Sequence, residues 1–125
     1  MDHAAFRAFL REKYGTLDQL NQAWGTVFWN QTYTDWSQLY GPRPVLNGGY
    51  NPSMLLDYYR FISDSARKFC KMQADIIRKY KKAEDFITTN GLFNHLDNHQ
   101  MAEESLDVFT YGTSDLIALF SQDEG

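Results

Sequence analysis

The sequence predicts an α/β fold that is rich in helix and holds two short parallel strands. A helical pattern runs from Asn51 to Tyr80, a strand-like segment follows at 85–90, and a short helical stretch separates it from a second strand-like segment at 106–111. A helix between two strands is the connection that parallel pairing requires. Because parallel strands need neighbours on both edges and cover on both faces, the pattern is that of a slice of a larger α/β structure.

The first predicted helix begins after Asp2, whose side chain can cap it, and ends near Tyr14. Phe6 and Leu10 recur at helical spacing and belong to its apolar stripe. Gly15 then supplies the backbone freedom that commonly ends a helix. This segment is therefore expected to pack one face on a core.

The second predicted helix follows at once. Thr16 and Gln19 have the spacing of a capping box, in which each side chain bonds the other residue's backbone N–H. Leu20 and Trp24 share one face of this helix, and Gly25 ends it.

Residues 26–50 are expected to be mostly irregular, since 41–50 contain two of the three prolines and three of the eight glycines. Asn51 can then cap the longest helix, with Pro52 at its first position, where a missing N–H costs nothing. Apolar residues continue at helical spacing to Tyr80 and predict a core or interface face.

The two strand-like segments carry the sequences DFITTN at 85–90 and LDVFTY at 106–111. Their β-branched and aromatic residues favour strands. Between them lie a loop and a short helix around Asn98–Glu104.

An unusual concentration of aromatic residues lies at 23–36, where all three tryptophans of the chain occur among Thr, Asn, Gln and Gly. Such a mixture can pack on one side and form hydrogen bonds on the other. It suits a loop that faces carbohydrate, and it equally suits a corner where a helix packs on a loop. The ring of Trp29 accordingly has two interpretations, a platform for a pyranose ring or a core plug beneath the loop.

The composition narrows the range of functions. The chain is 43% hydrophobic and 22% charged, which indicates a folded domain, and its formal net charge of −4 argues against a nucleic-acid or anionic-membrane partner. The basic residues at 78–82 are explained by the end of the long helix, where positive charge complements the helix dipole.

Cysteine usage and hydropathy give two further expectations. Cys70 is the only cysteine and is expected to be a buried thiol, so no disulfide or zinc site is predicted. No apolar run reaches membrane-spanning length, and the first residues are not a signal peptide, so a cytoplasmic location is expected. No cofactor is predicted.

Candidate catalytic groups are not marked by any pattern. Glycoside hydrolysis needs two carboxylates that face each other across a sugar, and Glu103, Glu104 and Asp107 show no such pairing. His95 and His99 lie four residues apart but lack a third ligand, which favours a polar surface loop over a metal site. No catalytic residue and no metal site are therefore predicted.

The end of the first strand offers a possible binding residue. The amide of Asn90 can both donate and accept, which suits sugar hydroxyls, and the carboxyl ends of parallel strands are where barrel enzymes contact substrate. The alternative is that Asn90-Gly91 is simply a turn after the strand.

Several segments together resemble glycoside hydrolase family 42, the β-galactosidases. In chain order they read KYGTLDQLNQAWGTVFWNQTYTDWSQL, PRP, NPSMLLDYYRFISDSARKF, DFITTN and ESLDVFTY. The resemblance runs from about Phe6 to Tyr111, and it fails at Gly112–Asp115, where the family usually continues differently.

The resemblance implies a partial (β/α)8 (TIM) barrel, with residues 1–125 covering roughly the helices after strand four through strand six. It implies a retaining enzyme whose acid/base and nucleophile glutamates lie upstream and downstream of this stretch. Trp29 matches the family's tryptophan that lines the galactose pocket, near the subunit interface, and Asn90 matches a pocket-facing position.

Three hypotheses follow in order of preference. The first is a fragment of a β-galactosidase that acts on galactosides in the full-length parent and is inactive alone. The alternative is a standalone carbohydrate-binding or self-associating module derived from that barrel. In either case a homo-oligomer is expected, because the long helix and two strands bury poorly within this layout. A small enzyme that uses one of the local carboxylates ranks third.

Overall fold

The computed structural model describes residues 2–44, 49–91 and 96–111. The helices are α1 (His3–Tyr14), α2 (Leu17–Trp24), α3 (Pro52–Arg78) and α4 (Asn98–Ser105), and the strands are β1 (Thr88–Gly91) and β2 (Val108–Tyr111). Two short 3₁₀ turns, Phe28–Asn30 and Trp36–Gln38, lie between α2 and α3. The chain divides into two compact units, Met1–Ile62 and Ser63–Gly125.

The caps of α1 confirm the boundaries expected from the sequence. The Ala5 N–H donates to Asp2 Oδ1 at 3.0 Å. At the other end Gly15 takes a φ of 71°, which strains any residue with a side chain, and its N–H bonds the Arg11 carbonyl.

The capping box of α2 is present in both halves. The Gln19 N–H donates to Thr16 Oγ1 at 3.2 Å, and the Thr16 N–H donates to Gln19 Oε1 at 3.4 Å. Gly25 closes the helix in the left-handed conformation, with φ 62° and ψ 37°.

The core of the first unit is apolar and well covered. It consists of the buried side chains Phe6, Leu10, Leu20, Trp24, Leu39 and Met54. The ring of Phe6 lies edge-on to Tyr58, with 5.5 Å between centroids, and 5.3 Å from Phe61. The apolar stripe of α1 therefore packs on the first turns of α3, and Trp36 packs partly buried against the same core.

Asn51 caps α3 as expected. Its Oδ1 accepts from the N–H groups of Ser53 at 3.0 Å and Met54 at 3.1 Å. Its Nδ2 donates to the Trp24 carbonyl at 2.9 Å, so one side chain joins the end of α2 to the start of α3.

The sheet of the second unit confirms the expected parallel pairing. β1 and β2 are hydrogen-bonded in parallel, with Thr88 opposite Val108 and Asn90 opposite Thr110. α4 lies between them in the chain and is capped by Asp97, whose Oδ1 accepts from the Gln100 N–H at 2.9 Å.

Both strands begin later than their sequences suggested. Asp85 closes a turn with Lys82, and the Ile87 N–H bonds the side chain of Asp107 rather than a strand partner. The Leu106 N–H is taken by the Ala102 carbonyl at the end of α4. Hydrogen bonds outside the ladder thus occupy backbone donors at the start of each segment.

Two further expectations need correction or refinement. Cys70 lies on α3 and is partly exposed, so the prediction of a buried thiol was wrong. Only Arg78 of the basic residues falls in the last turn of α3, where it donates to the Ser105 carbonyl at 2.8 Å; the lysines follow the helix.

Candidate functional site

The segment after α2, here called the Trp29 loop (Thr26–Tyr33), is held at both ends by Asn21. Thr26 Oγ1 donates to Asn21 Oδ1 at 2.8 Å, and the Tyr33 N–H donates to the same oxygen at 2.9 Å. Asn21 Nδ2 in turn donates to the Tyr33 carbonyl at 2.7 Å. A single side-chain amide on α2 therefore holds both ends of the loop.

Trp29 lies in the 3₁₀ turn Phe28–Asn30 inside this loop. Asn30 follows it with a φ of 56°, a left-handed conformation that asparagine tolerates better than most residues. Val27 and Phe28, which precede Trp29, are 87% and 67% exposed. Val27 and Phe28 thus lie at the surface, whereas Trp24, Tyr33 and Trp36 of the same aromatic stretch pack on the core as a packing corner would.

A polar groove lies beside the Trp29 loop, with a volume of about 590 Å³. Its described lining comprises Asn30, Gln31, Thr32, Tyr33, Ser37, Gln38, Tyr40, Gly41, Arg43, Pro44, Asn51 and Met54. The Arg43 guanidinium lies 4.1 Å from the centre of the Tyr40 ring. Amides, hydroxyls and aromatic rings of this kind can meet sugar hydroxyls, and the described lining contains no carboxylate for acid–base catalysis.

Asp57 is a buried carboxylate on α3, with its residue 1% exposed. Tyr14 Oη donates to its Oδ2 at 2.5 Å and Trp24 Nε1 donates to the same oxygen at 2.9 Å, while Lys13 pairs with Oδ1. Arg60 approaches Oδ1 at 3.3 Å. These five residues are here called the Asp57 cluster.

The ionisation of the Asp57 cluster follows from these contacts. Burial by itself raises the pKa of the Asp57 carboxyl, but the hydrogen bonds from Lys13, Tyr14 and Trp24 outweigh burial and hold that pKa below its ordinary value. Burial, followed by the bond to Asp57, raises the pKa of the Tyr14 hydroxyl. Asp57 is therefore an ionised acceptor in a structural role, because its oxygens are already occupied by donors of the same unit.

Asn90 lies in β1 and is exposed. Its Oδ1 accepts from Thr110 Oγ1 at 3.2 Å, and that hydroxyl also donates to the Thr89 carbonyl at 2.9 Å. Because Asn90 and Gly91 both belong to the strand, the alternative that they form a turn after it was wrong. Trp29 belongs to the first unit and Asn90 to the second.

The described residues contain no group of three or more His, Cys, Asp or Glu that could hold a metal ion. His99 Nδ1 lies 3.6 Å from Glu103 Oε1. His95 and the tail 112–125 lie outside the described residues. Among the described helices none is long and apolar enough to cross a membrane.

Residues 2–114 match the family model described as beta-galactosidase, of glycoside hydrolase family 42. The chain belongs to this family. Beta-galactosidase BgaA of Thermus sp is 41% identical to it over 121 residues, which are 92% of this chain and 18% of the relative. A beta-galactosidase of Thermus thermophilus is 40% identical over the same number of residues and the same shares.

Solved structures of family 42 members match the fold. The beta-galactosidase of the psychrophilic Marinomonas ef1 superposes with a TM-score of 0.78 at 38% identity, over 88% of this chain and 17% of its own. The beta-galactosidase of the haloarchaeon Halorubrum lacusprofundi superposes with a TM-score of 0.78 at 36% identity, over 89% of this chain and 16% of its own. The chain thus spans less than a fifth of the length of these relatives.

Sequence reasoning missed two residues that organise this region. The first is Asp57, which stands three residues after Met54 and four before Phe61, so its spacing marks a lone carboxylate on the buried face of α3. Asn21 gave no signal beyond its place in the family pattern, because its partners lie five and twelve residues away along an irregular loop.

Proposed function

We propose that residues 1–125 are one fragment of the catalytic (β/α)8 barrel of a retaining β-galactosidase, covering roughly the helices after strand four through strand six. The whole enzyme then hydrolyses terminal β-D-galactosyl bonds. The observation that carries this proposal is that sequence and backbone agree, since 88% of the chain superposes on a family 42 structure at 38% identity with a TM-score of 0.78.

The second unit supports the assignment to a larger sheet. Its described strands form a two-stranded parallel sheet joined through α4, and parallel sheets are stable only with further strands and covering helices. Phe69, Ile76 and Phe86 are 58%, 50% and 65% exposed, so apolar surface is present that further polypeptide would cover.

The proposed role of this fragment is substrate contact, with no catalytic residue among its carboxylates. Trp29 would present a ring face to the C–H side of galactose, and polar groups of the same loop would take hydroxyls. Asn90, which belongs to the second unit, is proposed by itself as a residue that contacts a sugar hydroxyl. Asp57 is committed to its own cluster. A fragment without the acid/base and nucleophile lacks both steps of retaining hydrolysis and would be inactive alone.

We also propose that the parent is a homo-oligomer. The exposed Val27 and Phe28 on the Trp29 loop support this, because neighbouring apolar side chains at a surface commonly mark an interface. Light scattering of the longest polypeptide that the gene encodes should give a multiple of the monomer mass, and a monomeric mass would overturn this part of the proposal.

The first test is to read the DNA on both sides of the coding segment. In-frame codons that supply an Asn-Glu after a strand-like run upstream and a Glu after another strand downstream would support the proposal. Nearby stop codons on both sides would contradict it and favour the standalone binding module.

The second test is kinetic. In the longest encoded polypeptide, Trp29→Ala should lower kcat/KM for an aryl β-galactoside about tenfold or more, while Trp29→Phe should retain part of the activity. Tyr50→Ala removes an exposed aromatic ring of the same unit outside the Trp29 loop and serves as the control. An equal loss in Tyr50→Ala, or wild-type kinetics in Trp29→Ala, would exclude the platform role.

A further inference from the structure

Two apolar residues with exposed side chains, Val27 and Phe28, lie at the outer turn of the Trp29 loop. Val27 is 87% exposed and Phe28 is 67% exposed, and the loop closes on itself through the Gln31 N–H, which donates to the Thr26 carbonyl at 2.7 Å. The Tyr33 ring at the end of the loop packs edge-on to Trp24, with 6.0 Å between ring centroids. Between Thr26 and Tyr33, the backbone is positioned mainly by polar contacts.

Those polar contacts converge on Asn21. Its amide has two acceptor sites on Oδ1 and two N–H donors on Nδ2, and three of these four are used by Thr26 Oγ1 and by the N–H and C=O of Tyr33. Thr26 is 1% exposed, and its hydroxyl lies 2.8 Å from Asn21 Oδ1 and 3.3 Å from the Asn21 backbone carbonyl, so the side-chain oxygen is its nearer acceptor. Both ends of the loop are thereby fixed to one side chain.

The base of this arrangement lies against the core. Asn21 stands on α2 next to the buried Leu20 and one turn before the buried Trp24, and the Trp24 indole is itself bonded to Asp57. The loop is therefore tied to the core of the first unit rather than to another surface segment.

We propose that Asn21 is the positioning residue of the galactoside-facing loop, holding Trp29 at the substrate by joining Thr26 to Tyr33. This inference rests on the proposed function of Trp29. The three hydrogen bonds require an amide at the end of a side chain as long as that of asparagine. Asp would place an oxygen against the Tyr33 carbonyl, Ala would remove all three side-chain bonds, and Gln is one methylene too long.

The test uses the longest polypeptide that the gene encodes, with Asn21→Ala, Asn21→Asp, Trp29→Ala and the double variant of Asn21→Ala with Trp29→Ala. Gln22→Glu is the matched control for Asn21→Asp, because it adds the same charge at the adjacent exposed position. Amide hydrogen exchange of residues 26–33 and kcat/KM for an aryl β-galactoside are measured for each.

We expect Asn21→Ala and Asn21→Asp to raise exchange in the loop about tenfold or more and to lower kcat/KM by a similar factor, while Gln22→Glu changes neither. In the Trp29→Ala background the further loss from Asn21→Ala should vanish, because a positioning residue acts through the ring that it positions. A merely structural role would instead give the same loss in both backgrounds.

Unchanged loop exchange in Asn21→Ala would overturn the inference, and so would additive losses in the double variant. Wild-type kinetics in Trp29→Ala, or no galactosidase activity in the unsubstituted polypeptide, would count against the proposed function. The exchange measurement would still decide in that case whether Asn21 holds the loop, so the two failures are distinguishable.

Discussion

The two units of the chain bury their residues in different ways. The first, Met1–Ile62, encloses a core of large apolar side chains together with the Asp57 carboxylate and its donors. The second, Ser63–Gly125, buries only Ala74, Ile87 and Met101 among its described apolar residues, and it leaves Phe69, Ile76 and Tyr80 exposed.

The charged contacts of the first unit are also more deeply buried than those of the second. Asp57 is 2% exposed at its side chain, whereas Arg67, which bridges Asp64 at 2.6 Å and Glu104 at 2.5 Å, keeps 20% of its side chain exposed. The first unit therefore contains the contacts that fix its own geometry. The second leaves apolar side chains exposed that a larger sheet with its helices would bury, which fits the proposed barrel slice.

The largest expected difference comes from apolar truncation. In the 125-residue chain Phe6→Ala should lower the free energy of unfolding by about 3–5 kcal/mol, because it opens a cavity beside Tyr58 and Phe61. Phe69→Ala, 58% exposed, is the matched variant and should change it by less than about 0.5 kcal/mol. Urea unfolding of both variants measures this, and equal losses would abolish the contrast between the units.

The Asp57 cluster should give the next largest effect. Asp57→Asn removes the charge that faces Lys13 and leaves one oxygen for the donors Tyr14 and Trp24, at a cost of about 2–3 kcal/mol in the free energy of unfolding. Asp75→Asn, which removes an exposed ion pair with Lys71, should have little effect by the same urea measurement. A loss in Asp75→Asn as large as in Asp57→Asn would contradict the importance of burial here.

Acid pH should reduce the difference in unfolding free energy between wild type and Asp57→Asn. The folded-state pKa of Asp57 lies below the unfolded value of about 3.9, so the carboxylate stabilises the fold above that pH, and the stability is lost as pH falls through the folded pKa. The stability gap between wild type and Asp57→Asn should thus narrow between neutral pH and about pH 3. Urea unfolding of both proteins at the two pH values measures the gap, and a gap that widens in acid would reverse the assigned sign.

The smallest effect is expected in the second unit. Arg67→Met keeps the aliphatic stem of the side chain but removes the bonds to Asp64 and Glu104, and it should cost about 0.5–1 kcal/mol in the free energy of unfolding. Thermal unfolding in low and high salt measures it, with the wild-type and variant curves converging as salt screens the pairs. A cost as large as that of Asp57→Asn would mean that the second unit also depends on its polar contacts.

The sequence predicted the helices more closely than the strands. Asp2, Thr16, Gln19 and Asn51 signal their caps through partners no more than three residues away, so a local reading suffices. The strand predicted at 85–90 begins later, at Thr88, because the Ile87 N–H bonds the side chain of Asp107, twenty residues further along the chain. Composition alone does not reveal a competitor at that distance.

The same division applies to the candidate site. The sequence by itself determined that the aromatic residues gather at 23–36, that α2 ends at Gly25 and that the chain resembles the family 42 β-galactosidases. Only the tertiary structure decided that Asp57 is buried beneath Tyr14 and Trp24, partners 43 and 33 residues away. It also decided that Asn21 joins the ends of the Trp29 loop. Caps and turns depend on neighbouring residues, whereas a buried carboxylate or a shared amide depends on which distant segments the core brings together.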